Sequence, residues 1–371
     1  MGKNERLYYL DNLRGFLAIL VVAHHATQPW GLAGWYIKAE ETDLLLNLFC
    51  GINASFFMGL FFLLSGYFHP PSYDRKGFGR FVRDRLLRLG VPLLAYSFLV
   101  MPWVQYVAYF YFQGNPRVDL GKAAGMYFWD GFGLGHLWFV AMLLLFGLAY
   151  ALWRLAGKEP EPREPGPAFT LRQTSLGALG LALLLAGLTF LARVWFPQDE
   201  WVYAPWPFSL EPAHAPQYIL LFVLGVLAFR RGLLERLPAK AGWIWLGVGF
   251  LPTLVFSPIL MERSFLGAGF TLDGLAAAAR EAFECVGVCL WLLVGFRTRL
   301  NRSGPVWRFL SANAYVVYII HVPVLLVFQW AAIGLHTGPL VKFLLVSACS
   351  IPICFFLGAL IRAIPGARRI L

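Results

Sequence analysis

Imidazoles and guanidinia set inside apolar runs are the groups in this chain best placed to do chemistry. Arg14 and His25 lie eleven residues apart in DNLRGFLAILVVAHH, residues 11–25. At about 100° per residue that interval is three turns, so both project from one helix face, roughly 16 Å apart along the axis. One stripe then carries a cation at a membrane edge and a titratable ring near the bilayer centre. Polar groups at that depth are costly and are functional hypotheses by default; the plainer alternative is a packed histidine bonded to a neighbouring helix. His24 points about 100° away and reads as a packing or supporting residue. A second imidazole, His321, stands ten residues into SANAYVVYIIHVP, residues 311–323, about 15 Å deep by helix rise. Pro323 kinks the chain beside it and frees backbone groups. Two rings at similar depth are expected to share a cavity. A neutral imidazole can serve as general base or as nucleophile near pH 7.

Three further polar groups belong to this reading. Glu281 and Glu284 lie in the outer half of an apolar run, with Arg280 beside them. Pairing with Arg280 or Arg263 and a functional role are both open for Glu281, and the deeper Glu284 is the functional candidate. Arg85 and Arg88 are three apart in RFVRDRLLRLGVP, residues 80–92, and share a helix face. Their planar forks suit phosphate oxygens, and they equally suit anchoring to anionic headgroups. Trp138, in HLWFV, fits an interfacial aromatic belt.

The elements that position these groups are membrane helices. Apolar residues make up 59% of the chain and charged residues 14%, against about 45–50% and 25% for a soluble domain. The fold class is all-α, a polytopic transmembrane bundle. Ten spans of about twenty residues are expected near 13–30, 44–68, 89–112, 134–156, 174–196, 214–231, 241–260, 275–297, 311–333 and 339–362. The net charge of +11 is distributed by loop, which points to topology and away from nucleic acid. Cations such as Lys3, Arg6, Arg75, Lys76, Arg154, Lys158, Arg163, Arg230, Arg231, Arg299 and Arg369 fall on alternate connections. Acids such as Glu40, Asp43, Asp199 and Glu211 fall on the others. The positive-inside rule then puts both termini in the cytoplasm. The chain reads as one domain, 1–371, with a Pro-rich cytoplasmic linker near 157–173 (KEPEPREPGP at 158–167). The five cysteines show no zinc spacing and no disulfide framework, so no metal is expected. No cleavable signal is evident.

Taken together, the motifs resemble the acyltransferase-3 family of integral membrane acyltransferases. The matching pieces are LDNLRGFLAILVVAHHA with its Arg, ten residues, His spacing, then FFLLSGYF, RDRLLRLGVP, HLWFV and AYVVYIIHVP. They span nearly the whole chain in the family's order. The resemblance implies transfer of an acyl group, acetyl or succinyl, from cytoplasmic acyl-coenzyme A to a hydroxyl of an extracytoplasmic glycan or glycolipid. It implies a multi-pass protein of the cell's inner membrane. It makes His25 the essential imidazole, and the depth of Glu284 and His321 in their apolar runs adds those two to the expected catalytic set. It places Arg14, Arg85 and Arg88 on the donor side, with Ser65, Trp138 and Tyr315 from the matching motifs. Asn12 departs from the more common Gly, which leans toward a glucan-modifying branch. The rival reading is a proton-coupled exporter of a glycan or lipid.

Overall fold

The computed structural model describes residues 7–31, 35–115, 118–130, 133–157, 166–198, 200–202, 211–263 and 269–371, with nothing said of the side chains at 129–130 and 257–263. Lys3, Arg6, Asp199 and positions 158–165 of the Pro-rich linker lie outside the described residues, as does the side chain of Arg263. Thirteen α-helices occur among the described residues: α1 Tyr8–Ala26, α2 Leu44–Arg85, α3 Val91–Leu99, α4 Met101–Val107, α5 Leu120–Gly125, α6 Trp138–Ala156, α7 Leu171–Trp195, α8 Ala215–Arg231, α9 Ala239–Arg263, α10 Leu272–Arg299, α11 Pro305–Ile333, α12 Pro339–Ala363 and α13 Ala367–Ile370. The fold is an all-helical, polytopic membrane bundle.

Local chemistry sets the helix ends. Asp43 and Thr271 cap α2 and α10 by accepting from Leu46 N (3.1 Å) and Gly274 N (3.0 Å). Thr170 and Gln173 form a capping box at α7. Prolines open α11 and α12, where the missing N–H costs nothing. Gly77, at φ 70°, breaks α2 so that its last two turns leave the axis of the apolar part. Those turns feed a π-helical segment, Leu86–Gly90, which carries Arg88.

Among the described residues seven helices are long and apolar enough to cross a membrane, one of which, Leu44–Phe112, takes in two of the ten expected spans. The expected spans near 13–30 and 275–297 fall on α1 and α10, and neither is among the seven. The reason is physical. α1 carries Asp11, Asn12, Arg14, His24 and His25, and α10 carries Asp273, Arg280, Glu281, Glu284 and two terminal arginines. These two helices are also interior ones. α1 packs against α2, α10, α11 and α12, and α10 against α1, α2, α7 and α9. The more apolar helices surround them. α7 and α12 leave Leu176, Leu183, Leu184, Leu344 and Phe356 exposed, as lipid-facing surfaces require.

Gly15 lets α1 approach α11 closely: a Cβ there would meet Leu310 Cβ at 3.0 Å and Ser311 N at 3.2 Å. Ala18, Val22 and Ala26 continue that seam against Val317 and Leu325. Asn12 fixes the other end of α1, its amide donating to the carbonyls of Leu300 (2.7 Å) and Arg302 (3.0 Å). A glycine there would leave those bonds unmade.

Candidate active site

His25 lies in the last turn of α1, where carbonyls lack helical partners. Gln329 of α11 supplies one: its Nε2 donates to His25 O at 2.7 Å, while its Oε1 accepts from Trp35 Nε1 at 2.9 Å. Gln329 is fully buried. The indole of Trp35 lies over the His25 ring with centroids 5.3 Å apart. The ring is thus held from its backbone, its face and its own helix, and it remains half-buried, not sealed.

His25 and His321, expected at similar depth, lie against each other. His25 Nδ1 lies 2.9 Å from Val21 O and 3.3 Å from His321 Nε2, with the rings 4.9 Å apart. His321 Nδ1 lies 2.6 Å from Tyr318 O. A third imidazole completes the stack. His136, just before α6, has its ring 4.7 Å from that of His321 and its Nε2 3.0 Å from Ile319 O. Tyr318 donates its hydroxyl to His136 O. The partners assign the tautomers, because a carbonyl oxygen only accepts. His25 and His321 carry their protons on Nδ1, and His136 carries its proton on Nε2. The His25 Nδ1–H is shared between Val21 O and the lone pair of His321. His25 Nε2 is left with its lone pair and no hydrogen bond among the described residues. That nitrogen can take a proton from a hydroxyl or attack a carbonyl carbon.

Toward the other end of α1 the cations gather. Arg14 is 42% exposed and 4.0 Å from Asp11. Arg14 and Arg88 both act electrostatically on Arg85. Arg85 spreads over the Phe81 ring at 4.8 Å, and neither Arg85 nor Arg88 forms an ion pair among the described residues. Tyr315 of α11 donates its hydroxyl to Arg88 O at 2.7 Å. Pro92, four residues on, has no N–H to offer that carbonyl, which leaves it open to an outside donor. Ser65 stands nearby through His69: the Ser65 carbonyl holds His69 Nδ1 at 2.6 Å, and Arg85 acts electrostatically on that imidazole.

Two of the predicted residues lie elsewhere. Trp138 packs against Tyr218 (5.3 Å), Trp201 (5.9 Å) and Phe62 (6.5 Å), away from the arginines. Glu284 is occupied by Arg280 (2.9 Å) and Thr253 (2.5 Å), and no hydrogen bond or ion pair joins it to the three stacked imidazoles among the described residues. The pairing of Glu281 also differs from expectation. It takes Arg193 of α7 and His214, the latter at 2.8 Å, and His214 in turn lies 3.2 Å from Glu211. Arg280 reaches Glu284 because i, i+4 neighbours share a helix face and i, i+1 neighbours do not. His24 is a packing residue, stacked on Phe57 at 4.8 Å and 3.2 Å from Gln28 Nε2.

Sequence reasoning missed His136, Gln329, Trp35, His69 and Arg193 as partners. Each was visible as a polar or aromatic residue in or beside an apolar run, without a spacing that tied it to another.

Known proteins give the remaining context. The chain is 26% identical over 356 residues to "Glucans biosynthesis protein C" of Salmonella schwarzengrund (strain CVM19633), covering 91% of this chain and 87% of that one. It is 25% identical over 339 residues to the proteins of the same name from Salmonella paratyphi A and Salmonella agona (strain SL483), covering 87% of this chain and 83% of each of those. No solved structure matches the chain. The family model described as "Acyltransferase domain" matches residues 7–359, nearly end to end, and so the chain belongs to the acyltransferase-3 family and is a multi-pass membrane acyltransferase of the non-aminoacyl kind.

Proposed function

We propose that the protein moves a small acyl group, acetyl or succinyl, from cytoplasmic acyl-coenzyme A to a hydroxyl of a glucan or glycolipid on the far side of the cell's inner membrane. The relatives' names support the glucan acceptor. The loop charges support ten spans with both termini in the cytoplasm. The observation that carries the reading is the open lone pair on His25 Nε2, on the one ring of the stack that is not fully buried and on the helix that also bears Arg14 beside Arg85 and Arg88.

The residues fit an acyl carrier bearing phosphates. Arg85 and Arg88 form no ion pair among the described residues, so they would bind phosphate oxygens without first breaking one. The roughly 16 Å between Arg14 and His25 suits a long flexible arm between a phosphorylated end and a thioester. The acceptor oxygen gives its proton to His25 Nε2 as it attacks the thioester carbonyl carbon. The carbon–sulfur bond breaks and the thiolate leaves with the electron pair. The His25 Nδ1–H, shared with Val21 O and His321, holds the ring in the tautomer that this step needs. Trp35, Gln329 and His321 position that ring.

Purified protein in lipid nanodiscs, given acetyl- or succinyl-coenzyme A and glucan oligosaccharide, is expected to release coenzyme A and leave an ester detectable by mass spectrometry. The His25→Ala protein is expected to do neither. Full turnover by that variant overturns the assignment, and glucan translocation without coenzyme A release favours an exporter.

A further inference from the structure

Apart from the histidine stack, an apolar crevice of about 380 Å³ runs between α7, α8 and α10, with Leu63 of α2 at its floor. No residue of α1 and none of the Arg85–Arg88 segment lines it, so it does not serve His25. On α7 its lining runs from Gln173 to Leu181, about 12 Å along the helix. Gln173 and Thr174 bring the polar side chains, and they sit at one end, by the α7 N-terminus. Phe169 closes that end. Its N–H donates to Arg236 O at 2.8 Å, Arg236 Nε donates to Pro167 O at 2.7 Å, and the Arg236 guanidinium lies 3.9 Å from the Phe169 ring centroid. The exposed cations Arg172 and Lys240 stand at the same end. The crevice is therefore a greasy slot that begins beneath a rim of cationic side chains.

That polarity matches one class of molecule. A lipid tail fills apolar space with no polar group to satisfy, and an anionic headgroup is attracted to Lys and Arg at the membrane surface. We propose that the crevice holds one acyl chain of an anionic glycerophospholipid from the cytoplasmic leaflet, with the headgroup over Arg172, Arg236 and Lys240. The site is separate from acyl transfer; its sidedness rests on the orientation proposed above.

Gly177 lines the crevice, and a Cβ there meets nothing within 4 Å. A Gly177→Leu side chain would therefore fill the slot without striking the backbone, and leucine is also the better helix former. The protein is reconstituted into phosphatidylethanolamine vesicles carrying a trace of photoactivatable phosphatidylglycerol or, in parallel, phosphatidylcholine with the same diazirine-bearing tail. Irradiation and peptide mapping are expected to give several-fold more adduct on the α7 residues 173–181 from phosphatidylglycerol. Gly177→Leu is expected to remove most of that adduct while acyl transfer in the same vesicles continues. Arg172→Gln with Lys240→Gln, which touches no packed residue, is expected to lower phosphatidylglycerol labelling toward the phosphatidylcholine level. Equal labelling by the two lipids, or labelling that Gly177→Leu leaves unchanged in active protein, means ordinary annular lipid and overturns the proposal. Should Gly177→Leu lose transfer as well, the double glutamine variant decides the matter alone.

Discussion

The paired charges around Glu281 and the stacked imidazoles around His25 are built on opposite principles. Between α7, α10 and the segment before α8, Arg193, Glu281, His214, Arg280 and Glu284 face one another. Their opposite charges meet in pairs. Between α1, α6 and α11, His25, His321 and His136 are held by backbone carbonyls. A carbonyl fixes which nitrogen bears the proton but brings no counter-charge, so a lone pair is left over. Buried ion pairs are poor sources of net stability but costly to break. The paired cluster thus locks helices together, and the carbonyl-held cluster keeps a reactive atom available. Depth in an apolar run does not separate the two; the identity of the partner does.

That contrast can be broken by experiment. The largest effect is expected at His25. His25→Ala should lower acyl transfer by about 10²–10⁴-fold, the usual contribution of a general base, with the thermal unfolding transition in detergent nearly unmoved because the ring is only half-buried. Next comes Arg193→Ala, which strands Glu281 in the interior. Breaking one side of such a pair costs about 3–5 kcal/mol, visible as a lowered unfolding midpoint, and removing Glu281 as well should restore part of it. If Arg193→Ala instead lowers kcat at unchanged stability, the division of labour drawn here is wrong. Arg85→Ala with Arg88→Ala should raise the donor KM by about 10²-fold, since each of the two charged hydrogen bonds contributes about 1.5–3 kcal/mol, and should leave kcat within about twofold. The smallest effect is expected at Gln329. Gln329→Ala forfeits its bond to His25 O at about 1 kcal/mol, so kcat should fall about fivefold while the donor KM holds.

Much of the active-site helix was legible before any coordinates. The eleven-residue interval sets Arg14 and His25 on one stripe by helix geometry alone, and the depth of His321 by helix rise brought it to the right level. Arg85, Arg88 and Tyr315, which come from separate motifs of the chain, meet at the cation cluster. What the sequence hid depends on which helices touch. His136 stands in a short 3-10 turn ahead of α6, and only its hydrogen bonds with Ile319 and Tyr318 of α11 turn that ring toward His321. Arg193 reads from sequence as an ordinary cation near a helix end, and nothing in its spacing announces Glu281. Glu284 was read by depth, and depth ignored Arg280 one turn earlier on the same face. The span reading met a similar limit: α1 and α10 are polar because they are interior, and an apolarity window measures the opposite quality.

The interior position of α10 bears on how the chain is made. Each acidic or basic side chain near the bilayer centre costs about 2.5–3.5 kcal/mol during insertion, and α10 brings Arg280, Glu281 and Glu284. Left alone at the translocon, it would be a reluctant entrant. Arg193 on α7 is synthesised earlier and is already waiting when Glu281 emerges. Biogenesis is thereby ordered: ribosome-bound chains halted just before α10 should be substrates for membrane proteases, and chains halted just after it should survive.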